Sequence, residues 1–228
     1  MNKNIDIPVV FQDEAILIVN KPPNLPVHKN DFLARDAAYL TKLLGNSTGK
    51  WIYNVHRLDA KTSGLIILAF SSQTANMLAK KFENREVKKT YFAIVKGNPG
   101  ATGVFTDKVL IKKRGRKVKA TTAYKTLQTI TSSISYKEFE NVALSLVEIN
   151  PQTGRWHQIR QHFAGKRFDI IGDTHHGDWT LNKIITAKTG SERLLLHAGK
   201  LEFSHPLTNE ALNISCALPA EFSAVMNL

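Results

Sequence analysis

A single cysteine, Cys216, is all the thiol chemistry this chain holds. It excludes an internal disulfide framework and a cysteine-built zinc cluster, and it fits a reducing compartment, so the cytoplasm is the expected location. Long apolar runs are missing as well. None approaches the roughly 20 residues needed to span a bilayer, and the first seven residues lack the apolar stretch of an export signal, so no membrane association is expected. Acidic residues are the scarce charge, with 19 Asp and Glu against 31 Lys and Arg and a formal net charge of +12. That balance favours a polyanionic partner. Neither a glycine-rich dinucleotide fingerprint nor a P-loop is present, so nothing signals a nucleotide cofactor. What the chain does have is 43% apolar residues in a length of 228, enough core for one large domain or two small ones.

The positive charge is unevenly placed. Lys108, Lys112, Lys113, Arg114, Arg116, Lys117, Lys119 and Lys125 stand together with only Asp107 beside them. This predicts a phosphate-contacting segment centred on Lys112, Lys113, Arg114, Arg116 and Lys117, against the plainer reading of a solvated basic loop.

Taken in order, Val9 to Asn20 reads as two short strands around a turn at Gln12, Asp13 and Glu14. Pro22, Pro23 and Pro26 then forbid helix and impose a rigid extended segment. Ala37, Leu40 and Leu44 predict a short helix from Arg35 to Leu44 with Gly45 as its stop. Trp51 to Val55 predicts a strand, and the continuous run Leu65 to Phe70 predicts one covered on both faces. Ser71 or Ser72 caps a helix ending near Asn84. Strands are predicted at Lys89 to Val95, Ala120 to Ile130, Asn141 to Ile149, Leu194 to Ala198 and Lys200 to Phe203. A helix follows the turn Pro151 to Gly154, carrying Trp156, His157, Ile159, Arg160, His162 and Phe163, and Pro219 opens a last one. Strands outnumber helices without alternating strictly with them, which argues for an α+β fold over a doubly wound parallel sheet.

The chemistry concentrates in residues 56 to 64, His-Arg-Leu-Asp-Ala-Lys-Thr-Ser-Gly. Asp59 lies between Arg57 and Lys61, and flanking cations keep a carboxylate ionised as it enters a pocket, where it can act as nucleophile or base. The same residues also suit an Asx turn or a cap before the apolar run.

The whole nonapeptide resembles the catalytic motif of the RluA-type family of RNA pseudouridine synthases. Further family segments follow in the family's order: Asn20-Lys-Pro-Pro-Asn24, Lys89-Thr-Tyr91, Thr153-Gly-Arg-Trp-His-Gln-Ile-Arg160 with His162, and Ile170-Ile-Gly-Asp173. Asn24 stands where most members have Gly, and Asn tolerates the left-handed conformation such a turn needs. The resemblance implies a mixed, largely antiparallel sheet in two halves with a catalytic cleft across it. It also implies one catalytic domain over residues 1–228, without the small N-terminal S4-type domain of many relatives. A monomer is the default expectation and does not follow from the resemblance.

By the same resemblance the protein would isomerise uridine to pseudouridine without a cofactor. Asp59 would be the catalytic carboxylate, Tyr91 would stack on the target uracil, and Arg160 would pair with the carboxylate; the plainer readings are a core strand residue for Tyr91 and a surface helix arginine or a direct phosphate contact for Arg160. Arg57 would help hold the extruded nucleotide, Ile159 would pack against the tyrosine ring, and His56, Arg155 and Lys21 would complete the substrate contacts. Lys21 has a plainer reading as a surface lysine.

Two other classes compete. A metal-dependent hydrolase would draw on His157, His162, Asp173, His175, His176 and Asp178, but a spacing of five does not align two histidines on a helix face and adjacent histidines tend to point apart, so no metal site is expected. A non-catalytic RNA-binding factor would use the basic surface alone, yet gains nothing from a carboxylate that repels phosphate. Leu33-Ala-Arg-Asp36 and the run Ile170 to Asp178 with Asn182 resemble the members that modify tRNA at uridine 65, at the foot of the T stem. Ribosomal RNA is the second substrate the family allows.

Overall fold

The computed structural model describes residues 5–29, 34, 36–111, 115–138 and 140–228. Its contacts divide into two compact units, one built from residues 1–89 and 198–216 and the other from residues 90–197 and 217–228.

In the first unit the strands β1 (Val9–Gln12) and β2 (Ile16–Lys21) form a hairpin, as the alternation around Asp13 requires. Asp13 closes the turn by accepting the amides of Ala15 and Ile16 at 2.8 Å. Beyond the prolines, Asn24 takes φ +62°, the left-handed turn its side chain tolerates. Helix α1 covers Leu40–Thr48, not residues 35–44. Gly45 lies inside it, and the stop is Gly49, whose left-handed backbone returns its amide to the Gly45 carbonyl. Arg35, the expected start, lies outside the described residues. The strand predicted at Trp51 shrinks to β3 (Tyr53–Asn54), and Trp51 itself is exposed.

Strand β4 (Ser63–Ala69) is buried at every position, in keeping with its continuously apolar sequence from Leu65 onward. It runs antiparallel to β2, with Lys21 opposite Gly64. Helix α2 (Ser72–Glu83) starts on the Ser71 hydroxyl, which accepts the Thr74 amide at 3.1 Å, and ends at Asn84. Its Ala75 and Leu78 pack with Ile16, Ile18, Leu65 and Ile67 in this unit's core.

The second unit is carried by β5 (Lys88–Lys96), followed by β6 (Thr102–Phe105), the hairpin strands β7 (Lys108–Leu110) and β8 (Lys117–Lys119), β9 (Thr122–Thr131) and β10 (Ala143–Pro151). Their order is β5-β10-β9-β6, antiparallel throughout, with β7 and β8 a separate ribbon. Helices α3 (Gln158–Gly165) and α4 (Trp179–Thr189) follow. Alternate residues of β5 face opposite layers. Ala93 and Val95 pack with Ile159 and Phe163 of α3, whereas Ile94 packs with Leu181 and Ile185 of α4. The strand β11 (Leu196–Ser204) is continuous through Gly199, where two strands were expected, and it pairs with β12 (Ala211–Ser215) in the first unit. The closing helix α5 (Ala220–Met226) adds Phe222, Val225 and Met226 to the layer under α4. Sheets largely antiparallel, with helices segregated against their faces, make this the α+β fold that was expected. Among the described residues no helix is long and apolar enough to cross a membrane.

Candidate active site

The Asp59 loop joins β3 to β4 in the first unit and is held from three sides. At its start, His56 Nε2 accepts the amide of Ile67 at 3.0 Å, and its ring stacks on Phe82 at 4.5 Å. Burial, reinforced by the charge of Lys89, pushes the His56 pKa from 6.5 down to about 3, so the ring stays neutral and keeps that lone pair. His56, expected against the substrate, serves here as a post for the loop. In the middle, Leu58 is buried and the Asp59 carbonyl accepts the Thr62 amide at 3.0 Å, closing a turn. At the end, Gly64 takes φ +111°, and a Cβ there would meet the Ala198 carbonyl oxygen at 2.3 Å. Only glycine fits that crossing.

Lys21 corrects its surface reading. It is fully buried, and its ammonium donates to the carbonyls of Pro22, Leu25 and Ala60 at 2.8, 2.9 and 3.0 Å. The proline-rich segment and the residue after Asp59 are thereby tied to one cation. Arg57 is exposed, while Asp59 and Lys61 are partly buried.

The second unit holds Tyr91, Ile159 and Arg160. Tyr91, partly buried on β5, packs on the apolar cluster that contains Ile159. The turn into α3 is organised by Gln158, which is 4% exposed. Its Oε1 accepts from the Thr153 hydroxyl and the Arg155 amide, and its Nε2 donates to the Thr121 carbonyl and the Thr122 hydroxyl. Trp156 and His157 precede the helix, and His157 is its N-cap in a left-handed conformation. Arg155 is exposed beside this turn.

Arg160 is 3% exposed, so it is no surface arginine. Its Nε and Nη2 make a two-pronged pair with Asp173, both at 2.7 Å, and its Nη1 donates to His157 Nε2 at 2.8 Å. Burial alone would raise the Asp173 pKa. The hydrogen bonds and charge of Arg160, joined by the amides of His175 and His176, outweigh it and hold Asp173 at about 2. Burial, with Arg160 next, lowers His157 to about 3, and burial likewise lowers His176 to about 4. The sequence offered Asp173 as part of a motif but gave it no partner.

The basic segment is the ribbon β7–β8. Arg116 and Lys117 are exposed on it, as expected of phosphate contacts; Lys112, Lys113 and Arg114 lie outside the described residues. The ribbon is anchored to α3. Gln161 accepts the Leu110 amide at 2.8 Å and donates back to its carbonyl at 3.3 Å, and His162 Nε2 donates to the Asp107 carbonyl at 2.9 Å.

The metal reading fares differently from its expectation. His157, His175 and His176 do converge, each with a ring nitrogen within 4.8 Å of the others. Adjacent side chains point apart on a strand, but His175 and His176 lie on a tight turn whose two amides both bond Asp173 Oδ1.

Comparison with known proteins agrees with the motif. The RNA pseudouridylate synthase family matches residues 15–165. The tRNA pseudouridine synthase C of Vibrio parahaemolyticus is 36% identical over 224 residues, 94% of this chain and 91% of that protein. That of Yersinia pestis is 34% identical over 96% of this chain and 89% of its own length. Among solved structures, human RNA Pseudouridylate Synthase Domain Containing 4 matches with a TM-score of 0.72 at 28% identity, covering 96% of this chain and 92% of that one. Human RNA Pseudouridylate Synthase Domain Containing 1 shares the fold, with a TM-score of 0.76 at 20% identity. The chain belongs to the RNA pseudouridylate synthase family, isomerases that turn uridine in RNA into pseudouridine.

Proposed function

We propose that the protein isomerises a uridine of tRNA, the uridine 65 at the foot of the T stem, as a cytoplasmic monomer that needs no cofactor. The observation that carries this reading is the near full-length likeness to enzymes named tRNA pseudouridine synthase C, at 36% identity over 94% of the chain. The reaction breaks the bond from ribose C1′ to N1, turns the base and forms a bond from C1′ to C5; C5 gives up a proton and N1 gains one, so the product is an isomer of the substrate. Nothing is oxidised and no group is imported, so a carboxylate that is nucleophile and proton acceptor supplies the chemistry.

Asp59 is that carboxylate. The turn that presents it is fixed by buried Lys21 and by Gly64, so it is aimed before substrate arrives. A base inside a stem must leave the stack, which costs a few kcal/mol. Exposed Arg57 holds the displaced nucleotide, and Tyr91 stacks on the uracil with Ile159 behind its ring. Arg160 lends positive charge that keeps the reacting carboxylate ionised. Arg155 contacts the substrate nucleotide, and Arg116 and Lys117, with Lys112, Lys113 and Arg114, contact the RNA backbone.

The test is incubation of the purified chain, in chelator, with unmodified tRNA and with ribosomal RNA, followed by carbodiimide-blocked primer extension. A new stop in the T stem of tRNA alone is the expected result. A stop confined to ribosomal RNA would overturn the substrate, and no stop in either would overturn the activity.

A further inference from the structure

The three converging histidines have the geometry of a metal site. Their ring centroids are 5.4 Å apart for His157 and His175, 5.1 Å for His157 and His176 and 4.5 Å for His175 and His176, with interplanar angles of 82°, 83° and 87°. An imidazole nitrogen sits about 2 Å from a zinc-type ion, so two rings on a tetrahedral centre have centroids roughly 5 Å apart. The observed separations lie on either side of that value, the near-perpendicular rings do not stack, and one ring nitrogen of each lies within 4.8 Å of the others.

The supports are in place too. Trp156 stacks on His157 at 3.9 Å and fixes that ring, and Asp173 Oδ1 accepts the amides of His175 and His176 at 2.9 and 3.0 Å, which fixes their turn. Held ligands and a carboxylate in the next layer are what transition-metal sites use. His175 is exposed, leaving solvent access for a fourth ligand.

We infer that His157, His175 and His176 bind one divalent ion of the zinc class, and that binding draws His157 away from Arg160. An arginine N–H only donates, so His157 Nε2 accepts from Nη1 and the ring proton sits on Nδ1, 2.9 Å from His176 Nε2. Nδ1 faces the cluster and is therefore the ligating atom. Coordination moves its proton to Nε2, with no net release, and places that N–H against the Arg160 N–H. The Arg160–His157 hydrogen bond is lost, and isomerisation slows when the site is filled. This last consequence, and not the site itself, rests on the catalytic role proposed for Arg160.

The metal-stripped 228-residue chain is titrated with Co²⁺, read by its visible spectrum, and with Zn²⁺, read by calorimetry. The expected result is one ion per chain, tetrahedral-type cobalt bands without a thiolate charge-transfer band, and affinity reduced by at least about tenfold in His175→Ala and in His176→Ala. Thermal unfolding confirms that both variants fold. Without metal, His175→Ala isomerises tRNA as the wild type does, and it escapes inhibition by Zn²⁺. Absence of saturable binding, a thiolate band pointing to Cys216, or wild-type affinity in either variant would overturn the site. Binding with undiminished activity would overturn its coupling to Arg160, whereas failure of Asp59 as the catalytic carboxylate would leave the titrations unchanged.

Discussion

Replacing Asp173 by Asn tests how the Arg160 side chain is held. The two side chains are 3% and 1% exposed and share two hydrogen bonds of 2.7 Å. Asn preserves an acceptor for the amides of His175 and His176 but removes the charge and can turn an N–H toward the guanidinium. The arginine then stays buried without its counter-ion, a loss of about 3–5 kcal/mol. For a chain of this length each kcal/mol moves the melting temperature by about 2–4 °C, so a fall of roughly 6–20 °C is expected. Urea unfolding of the wild type, Asp173→Asn, Arg160→Met and the double variant gives the coupling directly. The double variant should be much more stable than the sum of the single losses predicts, because it leaves no orphaned charge. A fall under about 2 °C in Asp173→Asn, with additive losses, would refute the buried pair.

Lys21→Met leaves three carbonyls without their shared donor and should cost about 1–3 kcal/mol, with a larger loss of turnover than of tRNA affinity in single-turnover and filter-binding assays. Gly64→Ala places a Cβ 2.3 Å from the Ala198 carbonyl oxygen, and urea unfolding should record at least about 2 kcal/mol of destabilisation. The His56 pKa is about 3 in the folded chain against 6.5 ordinarily, so the neutral ring is the stable one. Its stabilisation is complete above 6.5 and declines as pH falls toward 3, by up to about 1.4 kcal/mol per pH unit; His56→Gln should flatten urea-derived stability across that window. Arg116→Ala with Lys117→Ala should weaken binding to tRNA and other structured RNA alike, and make its salt dependence shallower, by roughly one unit of log–log slope per lost phosphate contact.

What could be read from the sequence was local. Ser71 as a cap, the apolar run into Ala69 and the left-handed turn at Asn24 each depend on neighbours in the chain, and each is where it was expected. Gly45 misled because a glycine inside a helix and one ending it look alike until Gly49 is seen to take the left-handed role. Helix α4 went unread behind its β-branched residues, with only the Asp178 cap and the four-residue spacing of Leu181 and Ile185 to mark it. The basic ribbon carries little apolar signal beyond Val109 and Val118, and its docking on Gln161 joins residues 51 apart. The site divides the same way. The turn at Asp59 was legible because its residues are contiguous, whereas the partner of Arg160 is 13 residues away across a turn and the buried state of Lys21 depends on a carbonyl 39 residues distant.

The most direct test of the central claim compares wild type and Asp59→Asn on one unmodified tRNA transcript, with pseudouridine and RNA affinity measured on the same preparations. Pseudouridine in the T stem with the wild type, none with the variant, and equal binding by both are expected. Pseudouridine formation by Asp59→Asn at the wild-type rate would contradict the claim.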